Sequence, residues 1–322
     1  MRILQGPAAF LGALMVVMGL GGAPHSARAG EYPDRPVKLI VGYQAGSIND
    51  IAARLVAEAL HKELGQPFIV ENHPGATGTI ADRIVASAPA DGHTLLIASS
   101  AITTNAALKS DYTDFQRLKP ITTLAVSLNT FVGAANASFA DIATLIAHAK
   151  ENPGELLYAT SGIGSSSHLV GEAFQDAYGI KLEHVPYPSA SERNLAIVAG
   201  EVDLSIGTPF LSDSTVRQLG VLGHARTGLL PDVPTLAEQG YPLEVGAAGS
   251  WVGVFAPSGT PDEVIARLYP VIVAAVGTPD NAVKLRGFGF EPQTMEPSAF
   301  EAEFHKQIGE WRTIAETLGL RK

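Results

Sequence analysis

From Val37 onward, short runs of aliphatic and β-branched residues alternate with stretches whose apolar residues recur every three or four positions. That rhythm builds βα units, in which strands line up in a sheet and the intervening helices cover its faces. Val37 to Val41 reads as a buried first strand. The helix after it carries Ile51, Leu55, Val56, Ala59, Leu60 and Leu64 on one face, and Gly65 stops it. Phe68 to Val70 and Thr94 to Ala98 are further strands, with a helix from Ile80 to Ala88 between them. Leu156 to Ala159, Leu182 to Val185, Val202 to Ile206 and Gln218 to Leu222 continue the series. Ser138 and Asp141 are spaced as a capping box before the helical run that begins at Ile142.

Two long β-like segments, Ile121 to Val132 and Val245 to Phe255, interrupt the rhythm. They divide the units into two groups, one inserted in the other, so the chain crosses between them twice. The expected architecture is therefore α/β: two lobes, each with a central mostly parallel sheet flanked by helices, joined by two crossing strands. Residues 30–128 plus 247–322 form lobe 1 and residues 129–246 form lobe 2. A cleft between such lobes is where a ligand belongs, and the crossing strands are its hinge.

The N-terminus carries a different signal. Arg2 precedes an uncharged apolar stretch from Ala8 to Leu20, too short to span a bilayer comfortably, and Ala27-Arg28-Ala29 has the small-x-small form of a cleavage site. Residues 1–29 read as a signal peptide, and the mature chain is expected to be soluble and exported. The formal net charge is −10, and losing the leader removes two arginines and no acid. Without clustered Lys and Arg, nucleic acid is not an expected partner. There is no cysteine, hence no disulfide, no thiolate nucleophile and no thiolate metal site. The scattered histidines lack ligand spacing, so neither a metal nor a cofactor is expected.

Open α/β sheets gather ligands at the carboxyl ends of their strands, where unpaired N–H groups of helix N-termini attract negative charge. Two loops stand out. Tyr43-Gln44-Ala45-Gly46-Ser47-Ile48-Asn49-Asp50 follows the first strand; Gly46 permits close backbone approach, and Ser47 and Asn49 add side-chain hydrogen bonds. An ordinary turn with Asn49 or Asp50 as N-cap is the competing interpretation. Thr160-Ser161-Gly162-Ile163-Gly164-Ser165-Ser166-Ser167-His168 opens a helix with two glycines and a serine cluster, an anion cradle that lacks the Gly-Lys pair of a phosphate loop. Supporting contacts are expected from Ser99, Ser100 and Ala101 after the third strand, from Tyr187 and Ser189, and from Thr208.

An ordered set of motifs spread over nearly the whole chain resembles the Bug, or tripartite tricarboxylate transporter (TctC-like), substrate-binding proteins. It includes Tyr32-Pro33-Asp34-Arg35-Pro36-Val37, Leu64-Gly65-Gln66-Pro67, Pro89-Ala90-Asp91-Gly92-His93, His184-Val185-Pro186-Tyr187, Gly200-Glu201-Val202-Asp203-Leu204 and Ser250-Trp251-Val252-Gly253-Val254-Phe255-Ala256-Pro257. The resemblance implies a type II periplasmic-binding-protein fold that closes on a small di-, tri- or aromatic carboxylate. It also implies a periplasmic, monomeric protein that delivers to a permease of one large and one small integral membrane subunit, or that feeds a signalling receptor. In the family the serine-rich loop grips a ligand carboxylate, which implies ligand contacts from Ser161, Gly164, Ser165 and Ser166. His168 matches a family histidine whose role is structural or ligand-touching, and Tyr187 holds the family's tyrosine place. Where relatives carry two prolines followed by two glycines, this chain has Gln44-Ala45-Gly46-Ser47; where many carry an aspartate, it has Gly207. The missing acid predicts a ligand without an amino group. No enzymatic activity is expected: Gly-x-Ser-x-Gly and His-Glu-x-x-His are absent, and Ser165 with His168 lacks a third orienting group, which leaves a secreted hydrolase as the weaker alternative.

Overall fold

The computed structural model describes residues 32–211, 215–244, 249–317 and 319–320. The signal peptide expected over residues 1–29 and the lobe boundary expected at 246–247 lie outside them.

The described chain forms two sheets. The first assembles from β1 (Val37–Val41), β2 (Phe68–Asn72), β3 (Thr94–Ser99), β4 (Leu118–Ser127), β10 (Ser250–Pro257) and β11 (Glu291–Pro292), in the order β11-β4-β10-β3-β1-β2. The second has β5 (Asn129–Gly133), β6 (Leu157–Thr160), β7 (Glu183–Pro186), β8 (Leu204–Gly207) and β9 (Arg217–Leu222), in the order β7-β6-β8-β5-β9. Helices α1 (Ile48–Leu64), α2 (Thr79–Ala86), α3 (Ala101–Leu108), α7 (Asp262–Val276) and α8 (Pro279–Arg286) go with the first sheet, and α4 (Ile142–Glu151), α5 (Ser166–Tyr178) and α6 (Ala190–Ala199) with the second.

Both sheets are mixed. Pairs β1-β2, β1-β3, β6-β7 and β6-β8 are parallel, because a helix connects each successive strand. The crossing strands run against them: β10 is antiparallel to β3 and β4, and β5 to β8 and β9. The long β segment expected from Ile121 to Val132 is thus two strands, β4 in one sheet and β5 in the other, with Leu128 alone between them. Leu39, Val41, Leu95, Ile97, Val254 and Val56 interlock in one core of the first unit, and Phe131, Tyr158, Leu169, Phe174, Leu204 and Ile206 in the core of the second.

Helix α9 (Pro297–Thr317) belongs to both units. Phe300, Phe304 and Ile308 pack against Trp251 and Phe255, whereas Trp311 and Ile314, in the turns that follow, enter the core of the second unit. The C-terminal segment is therefore a third link between the units, one that a division of the chain at two crossings does not contain. The N-cap of α4 also differs from the expected one. Asp141, not Ser138, accepts from the Thr144 amide (2.8 Å) while Thr144 Oγ1 accepts from the Asp141 amide (3.1 Å). The box is displaced by three residues because Asp141 immediately precedes the first helical residue.

Candidate functional site

A cavity of about 190 Å3, the share of roughly six water molecules in the liquid, lies between the carboxyl ends of the parallel strands of the two sheets. The first unit contributes Tyr43, Ile48, Asn49, Thr77, Ser99, Ser100 and Ala101. The second contributes Asn129, Ser161, Ser165, Ser166, Ser167, Gly207 and Thr208, and the returning strand adds Ser250, Trp251 and Val252, with Phe290 beyond it. No charged side chain stands among these lining residues. The N-termini of α1, α3 and α5 all open onto it, so first-turn amides without intrahelical acceptors converge there from both sides.

The first loop meets the cavity only at its two ends. Gln44, Ala45 and Gly46 are exposed and do not line it. The amide of Gly46 donates to Asp50 Oδ2 (2.9 Å), and Ser47 Oγ accepts from the Asp50 amide (3.3 Å) as the N-cap of α1. The buried Asp50 is the hub: burial raises its pKa, but bonds from Arg54, from Gly46 and from Asn72 outweigh that and hold it below the usual carboxylate range. The Gly46 amide is thus spent inside the loop and Ser47 Oγ is engaged as the acceptor that caps the helix, and the residues that line the cavity are Tyr43, Ile48 and Asn49. Tyr43 Oη bonds Ser99 Oγ at 2.5 Å, and burial pushes its pKa up to about 12, so it acts only as a neutral phenol. Ser99 Oγ also accepts from the Ala101 amide (3.3 Å).

In the second loop Gly162 and Gly164 take positive φ angles of 107° and 79°, which lets the chain fold back over the start of α5. Ser165 is the N-cap: its Oγ accepts from the His168 amide (3.2 Å) and donates to the Gly162 carbonyl (2.7 Å). The Ser161 amide donates to Ser167 Oγ (3.2 Å). Ser166 Oγ reaches the other unit, 3.0 Å from Ser250 Oγ. Because Ser165 Oγ holds the turn together, Ser165→Ala is expected to lower the stability of the empty protein by about 1 kcal/mol in denaturant unfolding. Ser166→Ala, which loses only an inter-unit hydroxyl contact, should stay within about 0.5 kcal/mol.

Gly164, His168, Tyr187 and Ser189 do not line the cavity. The Gly164 amide donates to His168 Nδ1 (3.3 Å), and the His168 ring stacks on His184 at 4.3 Å, which stacks on Tyr158. Burial lowers the pKa of both imidazoles; that of His184 falls to about 4, with the neighbouring His168 adding to the effect. Ser165 and His168 do not form a nucleophile and base: the serine bonds the histidine's main chain, and the imidazole faces Gly164. Ser189 caps α6 through the Glu192 amide, and the Tyr187 amide donates to the Thr160 carbonyl.

Sequence reasoning missed several features. Thr77, with φ of 58°, is a strained residue at the cavity wall, its carbonyl held by Asn105 Nδ2 (3.0 Å). Asn129, at the junction of the units, is 2% exposed, and Asn49 is 3% exposed; the Nδ2 of each is buried and has no hydrogen-bond partner among the described residues. A polar group left so costs about 1–3 kcal/mol. Arg193 of α6 is 1% exposed and lies directly behind Ser161, Gly207 and Thr208. No motif marks it; the one trace in the sequence is the glycine at 207 that makes room for it.

Comparisons with known proteins fix the family. Residues 52–320 match the model of the tripartite tricarboxylate transporter family receptor, TctC. The chain belongs to this family. Among its relatives is the protein BugT of Bordetella pertussis, 30% identical over 97% of each chain. Rpa4515 of R. palustris, solved with adipate, is 32% identical, covers 89% of this chain and 98% of its own, and superposes with a TM-score of 0.78. MatC of Rhodopseudomonas palustris, solved with bound malate, is 26% identical, with 88% and 99% covered and a TM-score of 0.73. This TctC-family chain accordingly has the two-lobed type II fold of periplasmic binding proteins, in which the helix N-termini described above face one another across the cleft.

Proposed function

We propose that this TctC-family chain is a periplasmic solute-binding protein that captures a small organic carboxylate between its lobes and releases it, unaltered, to an integral membrane permease of one large and one small subunit. In this reading lobe 1 is residues 30–128 plus 247–322, lobe 2 is residues 129–246, Leu128 lies at the hinge, and the protein works as a monomer. The observation that carries it is one small cavity without a charged lining residue, onto which the N-termini of α1, α3 and α5 open and whose wall includes Asn49 from lobe 1 and Asn129 from the junction, each with a buried Nδ2 that has no partner among the described residues. An acceptor-rich ligand satisfies both. First-turn amides of α1, α3 and α5 and the hydroxyls of Ser99, Ser100, Ser161, Ser166 and Thr208 supply the remaining donors, and Trp251, Val252 and Phe290 give the apolar wall for a carbon skeleton. The adipate and malate held by two solved relatives support a carboxylate of this size. Tyr43 and the N-cap serines Ser47 and Ser165 act as framework. The lack of an acid at Gly207 favours ligands without an ammonium group.

A thermal-shift screen against adipate, malate, succinate, citrate and benzoate tests the reading. A ligand present at a hundred times its Kd should stabilise the protein by about 2.7 kcal/mol and raise Tm by roughly 5 °C. No shift with any of the five at millimolar concentration would overturn it.

A further inference from the structure

Arg193 is a buried basic side chain that stands against the cavity wall from behind, and its surroundings are unusual. Its Nη1 donates to Ser161 Oγ (3.2 Å) and to the Ile206 carbonyl (3.3 Å). Its Nη2 donates to the Thr208 carbonyl (3.0 Å) and to Asn194 Oδ1 (3.0 Å), and its Nε to Asn194 Oδ1 (3.3 Å). Every acceptor is neutral, and among the described residues no carboxylate lies within ion-pair distance of it. A buried guanidinium is costly unless its charge is compensated. The donors are satisfied here; the charge is not. Gly207 lines the cavity and is adapted to this neighbour, since a Cβ at that position would stand 1.7 Å from Nη1.

The geometry also directs two hydroxyls. Ser161 Oγ accepts from Arg193, so its own proton is left for another acceptor, and the residue lines the cavity. Thr208 Oγ1 stands 3.5 Å from Nη2 and lines the same wall. We propose that Arg193 is a positioning residue that makes the lobe 2 end of the cavity selective for a negatively charged group: its charge is balanced by the ligand carboxylate, which it reaches through the polarised hydroxyls of Ser161 and Thr208 rather than by contact. The inference rests on the carboxylate reading above and adds to it the source of the positive potential, which otherwise would come from main-chain dipoles alone. The matching carboxamide presents an N–H donor in place of one acceptor oxygen and leaves the guanidinium uncompensated, and so binds weakly.

The test uses the mature protein with whichever of adipate, malate, succinate, citrate or benzoate binds the wild type most tightly, alongside the corresponding uncharged carboxamide. Titration calorimetry on wild type, R193K and R193Q is expected to give a carboxylate affinity about 100-fold lower in R193Q, a loss of about 10-fold or less in R193K, and a carboxamide affinity changed by less than about 3-fold in both. A folded R193Q that keeps the wild-type preference for carboxylate over carboxamide overturns the assignment. If R193Q does not fold, S161A replaces it, expected to lose at least about 10-fold for the carboxylate and less than about 3-fold for the carboxamide; equal change for both overturns the assignment. The failure of all five carboxylates to bind the wild type is a different outcome: it removes the carboxylate reading and this assignment with it.

Discussion

Gly207→Ala is expected to lower the stability of the empty protein by about 3 kcal/mol, a fall in Tm of roughly 6–9 °C, and to abolish measurable carboxylate binding. The added methyl would stand 1.7 Å from Arg193 Nη1, so the guanidinium must shift, and a shift breaks its bonds to Ser161, Asn194 and the carbonyls of Ile206 and Thr208. Gly207 also has a φ of 153°, which a side chain rarely adopts. Moving Arg193 orphans buried acceptors and turns Ser161 and Thr208 out of alignment, so stability and affinity fall together. The losses from Gly207→Ala and Arg193→Ala should combine to less than their sum, because each removes the other's partner. A Gly207→Ala protein that melts within 2 °C of wild type would contradict this packing.

Asn49→Ala and Asn129→Ala should behave in the opposite way. Truncating a buried asparagine ordinarily destabilises a protein, but here each Nδ2 has no partner among the described residues, so its removal discards a desolvation penalty. The empty variants should melt at or slightly above the wild-type temperature while carboxylate affinity drops about 10- to 100-fold in each. Differential scanning calorimetry paired with titration of the same samples separates the two quantities. A drop in Tm of more than 5 °C with affinity intact would mean that these amides serve the fold and not a ligand.

These contrasts explain what the sequence could and could not reveal. The βα rhythm was legible because each buried strand, such as Val37–Val41 or Thr94–Ser99, is a continuous apolar run flanked by turn residues. Helix α3 was not legible: Thr103, Thr104 and Asn105 are buried along with Ile102 and Ala106, and a helix covered on nearly all sides has no amphipathic stripe. The serine-rich loop was legible because glycines before a helix N-terminus have few other uses, yet which serines face the cavity depended on capping bonds that spacing does not fix. Gly46 and Ser47 were expected at the ligand for the same local reason that consumes them, the demand of a helix start for donors and acceptors. Asn129 and Arg193 were invisible because their significance is relational. One stands where two sheets meet, and the other sits behind a glycine fourteen residues later in the chain. A lone arginine on a helix with surrounding polar residues reads as solvent-facing until the fold buries it. The doubly anchored helix α9 was hidden too, since Phe300, Phe304, Ile308, Trp311 and Ile314 form one unbroken stripe although its two halves serve different cores.

A crystal structure of the protein grown with the carboxylate that stabilises it most is the most direct test. One ligand is expected between the lobes, with a carboxylate on Ser161 and Thr208 in front of Arg193 and with acceptors facing Asn49 and Asn129. A ligand bound elsewhere, or one in the cavity whose carboxylates avoid both asparagines and the Arg193 wall, would contradict it.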